Sequence, residues 1–140
     1  MIVGLGMDLV DIPRIRAMLA RFGDRAAARV WTPGERAYCA QHADPAVPFA
    51  ARFAAKEACF KALSGSPEAR AIGWHEMEVV RDFDGAPTLV LHGRAAARAS
   101  ALGVTGVHVT LTHAESVAGA VVVLERVGVG VSSQQGGVGS

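Results

Sequence analysis

Val3, Leu5, Met7 and Leu9 alternate with Gly4, Gly6, Asp8 and Val10 at the start of the chain, a period of two that predicts a strand with Asp8 beside two glycines on one face. Asp11-Ile12-Pro13 predicts the end of that strand and a cap for a helix running to about Phe22, where Gly23-Asp24 breaks it before a shorter helix reaching Val30. Thr32-Pro33-Gly34-Glu35 has the spacing of a capping box and opens another helix. Residues 43–48, with two prolines, read as a loop. The strongest helix follows over residues 49–63, free of glycine and proline, and places Phe49, Phe53, Phe60 and Leu63 on one stripe expected to face the core. Residues 77–80 and 88–91 predict strands of a hairpin around the turn Asp82-Phe83-Asp84-Gly85. An alanine-rich helix over 94–102 closes on Gly103, residues 107–112 alternate as a strand, and residues 117–124 predict the last strand. Residues 117–123 are apolar on both faces, so this strand is expected to be central or to lie under a subunit contact. Helices and strands mix without regular βαβ alternation, which predicts an α+β fold: a largely antiparallel sheet packed against a long central helix and shorter helices.

The chain has 140 residues, of which 51% are hydrophobic and 19% charged, enough for one packed domain and too apolar for a disordered one. That domain is expected over residues 1–126, with a flexible tail rich in Gly, Ser and Val over 127–140. A net charge of +1 excludes the global basic footprint of a nucleic-acid coat. The uncharged stretch 99–114 falls short of the ~20 apolar residues of a membrane span, and the first residues lack a basic n-region, so cytoplasmic residence is expected. Cys39 and Cys59 lack the spacing of a zinc or redox pair and read as buried thiols.

Among fourteen basic residues only two are lysines, Lys56 and Lys61, both on the long helix. Glu57 and Lys61 are four apart, about 40° around the helix axis, and share a wall. An ordinary solvent-exposed ion pair would have the same spacing. Lys56 projects into the phenylalanine stripe; its stem is expected to snorkel with the ammonium in water, where it would join the cofactor-binding residues. Asp8, already relieved of a capping role by Asp11, needs a partner, solvent or a cation. One carboxylate on a strand end and one on a helix flank, with lysine beside them, suit Mg²⁺, which fills its remaining positions with water and substrate phosphates. Arg14, Met18 and Arg21, with Arg25 one turn on, make a basic stripe around an apolar knob, suited either to solvent or to an acidic helix. Gly4-x-Gly6 lacks the rest of a dinucleotide fingerprint, and there is no G-x-x-x-x-G-K-[ST] loop. His108, Thr110 and Thr112 share a strand face with no serine elbow beside them. These residues leave open a transferase, a metal-dependent phosphohydrolase using the same Asp8, Glu57 and Lys61, and a non-catalytic binding module.

Three segments together resemble the holo-acyl-carrier-protein synthases, of the 4′-phosphopantetheinyl transferase family: Gly4-Leu5-Gly6-Met7-Asp8-Leu9-Val10, Arg52-Phe53-Ala54-Ala55-Lys56-Glu57-Ala58-x-x-Lys61-Ala62, and Val107-His108-Val109-Thr110-Leu111-Thr112-His113. The resemblance implies transfer of the 4′-phosphopantetheine arm of coenzyme A to a serine of apo-acyl carrier protein, for fatty acid biosynthesis, releasing adenosine 3′,5′-bisphosphate and requiring Mg²⁺. It further implies that Asp8 and Glu57 hold the metal, that Glu57 helps deprotonate the carrier serine, and that Lys61 neutralises the departing phosphate. Arg52, Thr112 and His113 match positions near the adenosine and 3′-phosphate, and Arg14, Met18 and Arg21 match the helix that docks the carrier. Short relatives resemble homotrimers with the site between subunits. Where the family has a Gly-Thr-Gly-like loop near the phosphates, this chain has Ser64-Gly65-Ser66-Pro67, in which Gly65 and the serines keep donors and Pro67 has none.

Overall fold

The computed structural model describes residues 1–128. Strand β1 (Ile2–Asp11) leads into α1 (Ile12–Val30), α2 (Pro33–Ala40) and the long helix α3 (Ala46–Ala62). Two short 3₁₀ turns precede the hairpin β2 (Met77–Arg81) and β3 (Pro87–Leu91), then α4 (Gly93–Ala101) and the strands β4 (Gly106–His113) and β5 (Val117–Glu125). All pairings are antiparallel: β1-β5-β4 form one sheet with β5 in the centre, and β2-β3 form a second. The α+β architecture, the central place of the apolar last strand and the hairpin turning at Gly85 (φ 83°) agree with the sequence. The expected tail over 127–140 lies almost wholly outside the described residues.

Helix α3 lies on the three-stranded sheet, and the close approach has a simple cause. Ala50, Ala54, Ala55, Ala58 and Cys59 are wholly buried, so small side chains make its inner face. Gly4 and Gly6 receive it from β1: a Cβ at Gly6 would run into the carbonyl oxygen of Ala58, and one at Gly4 into that of Ala62. The inner face is therefore alanine rather than the expected phenylalanine stripe, of which Phe49 and Leu63 are buried while Phe53 and Phe60 are only half-buried. The helix also begins three residues before the expected Phe49, taking Pro48 into its first turn, where a missing amide costs no hydrogen bond.

Three details of the helical arm matter for the site. At Gly23 the backbone leaves helical angles (φ 64°, ψ −155°), so α1 is two helices joined at a kink, as the glycine predicts. Asp11 occupies the cap position without its side chain making a capping bond. The Thr32 capping box is formed: Glu35 N donates to Thr32 Oγ1 at 3.2 Å and Thr32 N to Glu35 Oε1 at 2.8 Å.

On the sheet face away from α3, Leu5, Met7 and Leu9 are 64%, 58% and 64% exposed, and the register sets them beside Val123, Val121 and Gly119 of β5. An apolar strip thus faces outward on a single chain.

Candidate active site

Asp8 stands on the α3-facing side of β1, beyond the two glycines that let the helix in. Lys61 reaches back from α3 and donates from Nζ to Asp8 Oδ1 at 3.1 Å and to Met7 O at 3.0 Å. Its side chain remains 53% exposed, and an ammonium has a third N–H to give. Glu57, one turn earlier, completes the group. Burial first, and then the neighbouring Asp8 carboxylate, raise its pKa above the ordinary carboxylate value, while Lys61 and Arg14 oppose the shift. The structure thus brings Asp8, Glu57 and Lys61 together and adds Arg14 to their field.

Two carboxylates that repel each other beside an open flank are a cation-shaped arrangement. Among the described residues no cluster of three or more His, Cys, Asp or Glu side chains could cage a metal with protein ligands alone. An oxygen pair that leaves most positions to water and substrate fits Mg²⁺ and does not fit zinc, which takes three or four protein ligands rich in nitrogen and sulfur.

Beside this group, Arg14, Met18 and Arg21 line a groove of about 330 Å³ with Phe22 and Phe53, and the Arg21 guanidinium lies 5.1 Å from the Phe22 ring centre. Arg25 does not continue the stripe: the kink at Gly23 starts a new helical register, and Arg25 is not part of the groove. At the other edge of the sheet, on β4, Thr112 and His113 line a cleft of about 190 Å³ with Arg52. Arg52 is 2% exposed, with its guanidinium carbon 4.1 Å from the Tyr38 ring centre and its Nε without a partner. Tyr38, His42 and Arg81 share this cleft, Arg81 lying 5.0 Å over the same tyrosine. The sequence reading missed all three, since they come from α2, the turn after it and β2 with no common motif.

Lys56 is the main correction. It does not snorkel; it is 0% exposed, forms an ion pair with Glu35 Oε1 at 2.7 Å, and donates to Trp74 O at 2.9 Å and Met77 O at 2.8 Å. Burial draws its pKa below the ordinary lysine value, with Glu35 opposing. All three donors are used inside the protein, so none is left for a cofactor phosphate. Glu35, read from sequence only as a capping residue, carries a second role here, and its Oε2 also accepts from Val79 N at 2.9 Å. Cys39 and Cys59 are buried, their thiols pushed up to about 12, which removes them as nucleophiles. A cavity of about 810 Å³ between α1, α2 and the start of α3 is lined by none of the predicted site residues.

Residues 4–121 match the model of the 4′-phosphopantetheinyl transferase superfamily. The chain belongs to this family. Within it, the chain is 51% identical over 128 residues to a holo-[acyl-carrier-protein] synthase of Solidesulfovibrio magneticus, covering 89% of this chain and 99% of that one. The structure of a holo-[acyl-carrier-protein] synthase from Neisseria meningitidis superposes with a TM-score of 0.78 at 29% identity, covering 90% of this chain and all of that one. That of the Helicobacter pylori enzyme in complex with coenzyme A gives 0.73 at 27% identity, over 86% and 99% of the two chains. Among the described residues no helix is long and apolar enough to cross a membrane.

Proposed function

We propose that this chain is a holo-acyl-carrier-protein synthase, which moves the 4′-phosphopantetheine arm of coenzyme A onto a serine of apo-acyl carrier protein and releases adenosine 3′,5′-bisphosphate. The observation that carries the reading is the joining of Asp8, Glu57 and Lys61 at one spot beside the Arg14–Met18–Arg21 groove. In this reaction the serine oxygen forms a bond to the pantetheine-bearing phosphorus, the bond from that phosphorus to the bridging oxygen breaks, and the serine proton must be taken up. Glu57, one helical turn from Lys61 and beside Asp8, helps take up that proton, directly or through a water. Lys61, tied at two donors, offers its third to the departing phosphate. Asp8 and Glu57 would hold Mg²⁺, which when bound supplies positive charge to the pyrophosphate. The two arginines and Met18 of the groove suit an acidic carrier helix, and Arg14 links that groove to Glu57.

A homotrimer with a shared site belongs to the same proposal. Its support is the outward strip of Leu5, Met7 and Leu9, and the placing of Asp8 and of Thr112-His113 on the two opposite edge strands of the sheet. Packing of one copy's β4 edge near another's β1 edge lets coenzyme A span a metal half-site and an adenosine half-site lined by Arg52, Thr112 and His113. The test is incubation with coenzyme A, Mg²⁺ and an apo carrier, followed by intact-protein mass spectrometry and light scattering. One phosphopantetheine gained on serine, abolished by chelation, is the expected result. Phosphate release from coenzyme A with no carrier modified would favour the phosphohydrolase reading instead.

A further inference from the structure

Arg98 of α4 lies outside every motif, yet it grips the end of the catalytic-site helix. Its Nε donates to Leu63 O at 2.8 Å, the carbonyl of the residue that caps α3, and its Nη2 to Ser64 O, just past the cap, at 3.1 Å. Gly65 follows at φ 112°, in backbone space that favours glycine. A Cβ there would stand 3.3 Å from Arg98 Nη2, so the arginine packs directly against the turn.

The peptide between Ser64 and Gly65 is trans, with its C=O and N–H pointing in opposite directions. By holding Ser64 O on the α4 side, Arg98 turns the Gly65 N–H to the other side. There Gly65 lines a cavity of about 480 Å³ with Phe60, Ser64, Ser66 and Arg70, a cavity Arg98 does not line. Among the described residues neither the Gly65 nor the Ser66 N–H meets an acceptor. With no amide on Pro67, these are the backbone donors the loop after Lys61 retains.

We infer that Arg98 is a positioning residue for coenzyme A: it fixes the turn after α3 so that the Gly65 amide faces a pyrophosphate oxygen beside Lys61. This rests on the transferase reading above. The arginine itself does not meet the substrate; it sets the direction of the amide that does.

Steady-state kinetics of Arg98→Met and Arg98→Lys in the full chain, with coenzyme A and carrier varied separately, test this. Arg98→Met is expected to raise KM for coenzyme A about tenfold, with kcat within about threefold and the carrier KM unchanged. Arg98→Lys, able to hold one of the two carbonyls, is expected to recover to about threefold. A residue that merely capped the helix would lower the melting temperature and leave that split absent. A coenzyme A KM within twofold of wild type in Arg98→Met, or equal rises for both substrates, overturns the inference. If Arg98→Met does not fold, a coenzyme A KM within twofold of wild type in Arg98→Lys overturns it. Wild-type protein that modifies no carrier overturns the transferase reading, whereas normal transfer with unmoved KM values removes Arg98 alone.

Discussion

The two lysines of the chain stand five residues apart on α3 and each ends on a carboxylate, yet they belong to different kinds of site. Lys56 is sealed inside, with Glu35 and two carbonyls taking all its protons. Lys61 is half in water, held by Asp8 and one carbonyl, with a donor to spare. Five residues rotate a helix by about 140°, which carries one lysine toward α2 and β2 and the other toward β1. A saturated buried pair fixes the relative placement of elements, and it is strongly destabilising to break because the remaining charge is stranded. An unsaturated exposed pair contributes little to stability and keeps its charge available for a substrate.

The sharpest way to break this contrast is to remove each ammonium in turn. Lys56→Ala should lower folding stability by about 3–5 kcal/mol, read as the urea midpoint at constant slope, because Glu35 is left buried without its partner. A loss like that of a surface substitution would mean that the pair holds nothing together. Lys61→Ala should reverse the pattern, with a loss of at least ~10²-fold in the rate of carrier modification and stability within about 0.5 kcal/mol of wild type. Near-normal turnover would return Lys61 to the status of a surface residue.

Neutralising both members of the buried pair separates charge from shape. In Lys56→Met/Glu35→Gln the single amide oxygen keeps one of the two backbone donors that Glu35 accepts, Thr32 N or Val79 N, and loses the other, while methionine fills the lysine channel. The double variant should recover to within about 1–2 kcal/mol of wild type. A double loss equal to the sum of the single losses would show that carbonyls of Trp74 and Met77, rather than stranded charge, set the cost.

The same contrast explains what the sequence made legible. Asp8, Glu57 and Lys61 could be found because strand alternation and helix periodicity are local, and both kept their faces in the structure. Lys56 was misread because its partner lies 21 positions upstream, and Glu35 already had a complete local explanation as a capping residue. The start of α3 was hidden by Pro45 and Pro48, which mark loops in general but are harmless at a first helical turn. The phenylalanine stripe was misassigned for a related reason. Periodicity shows which residues share a face and leaves open whether glycines opposite will favour alanines as the inner one. Tyr38, His42 and Arg81 meet Arg52 only through tertiary packing, so no local signal existed to find them.

The smallest expected effect concerns Glu57, which differs from Glu35 as Lys61 differs from Lys56: its nearest strong influence after burial is another carboxylate rather than a buried lysine. A carboxyl whose folded pKa lies above its ordinary value of 4.5 binds its proton more tightly folded than unfolded. Its contribution to stability is full below that ordinary value and is lost as pH rises through the raised one. Metal-free wild type should therefore melt below Glu57→Gln at neutral pH, by roughly 1–3 °C, and the two curves should converge on acidification below the ordinary carboxylate value. Adding Mg²⁺ should raise the melting temperature of wild type and leave Glu57→Gln much less affected, because the cation binds the native carboxylate pair and offsets the repulsion. Thermal melts across pH with and without Mg²⁺ measure both. If the variant and wild type run parallel at every pH, Glu57 and Asp8 do not strain each other, and the case for a cation between them falls with that strain.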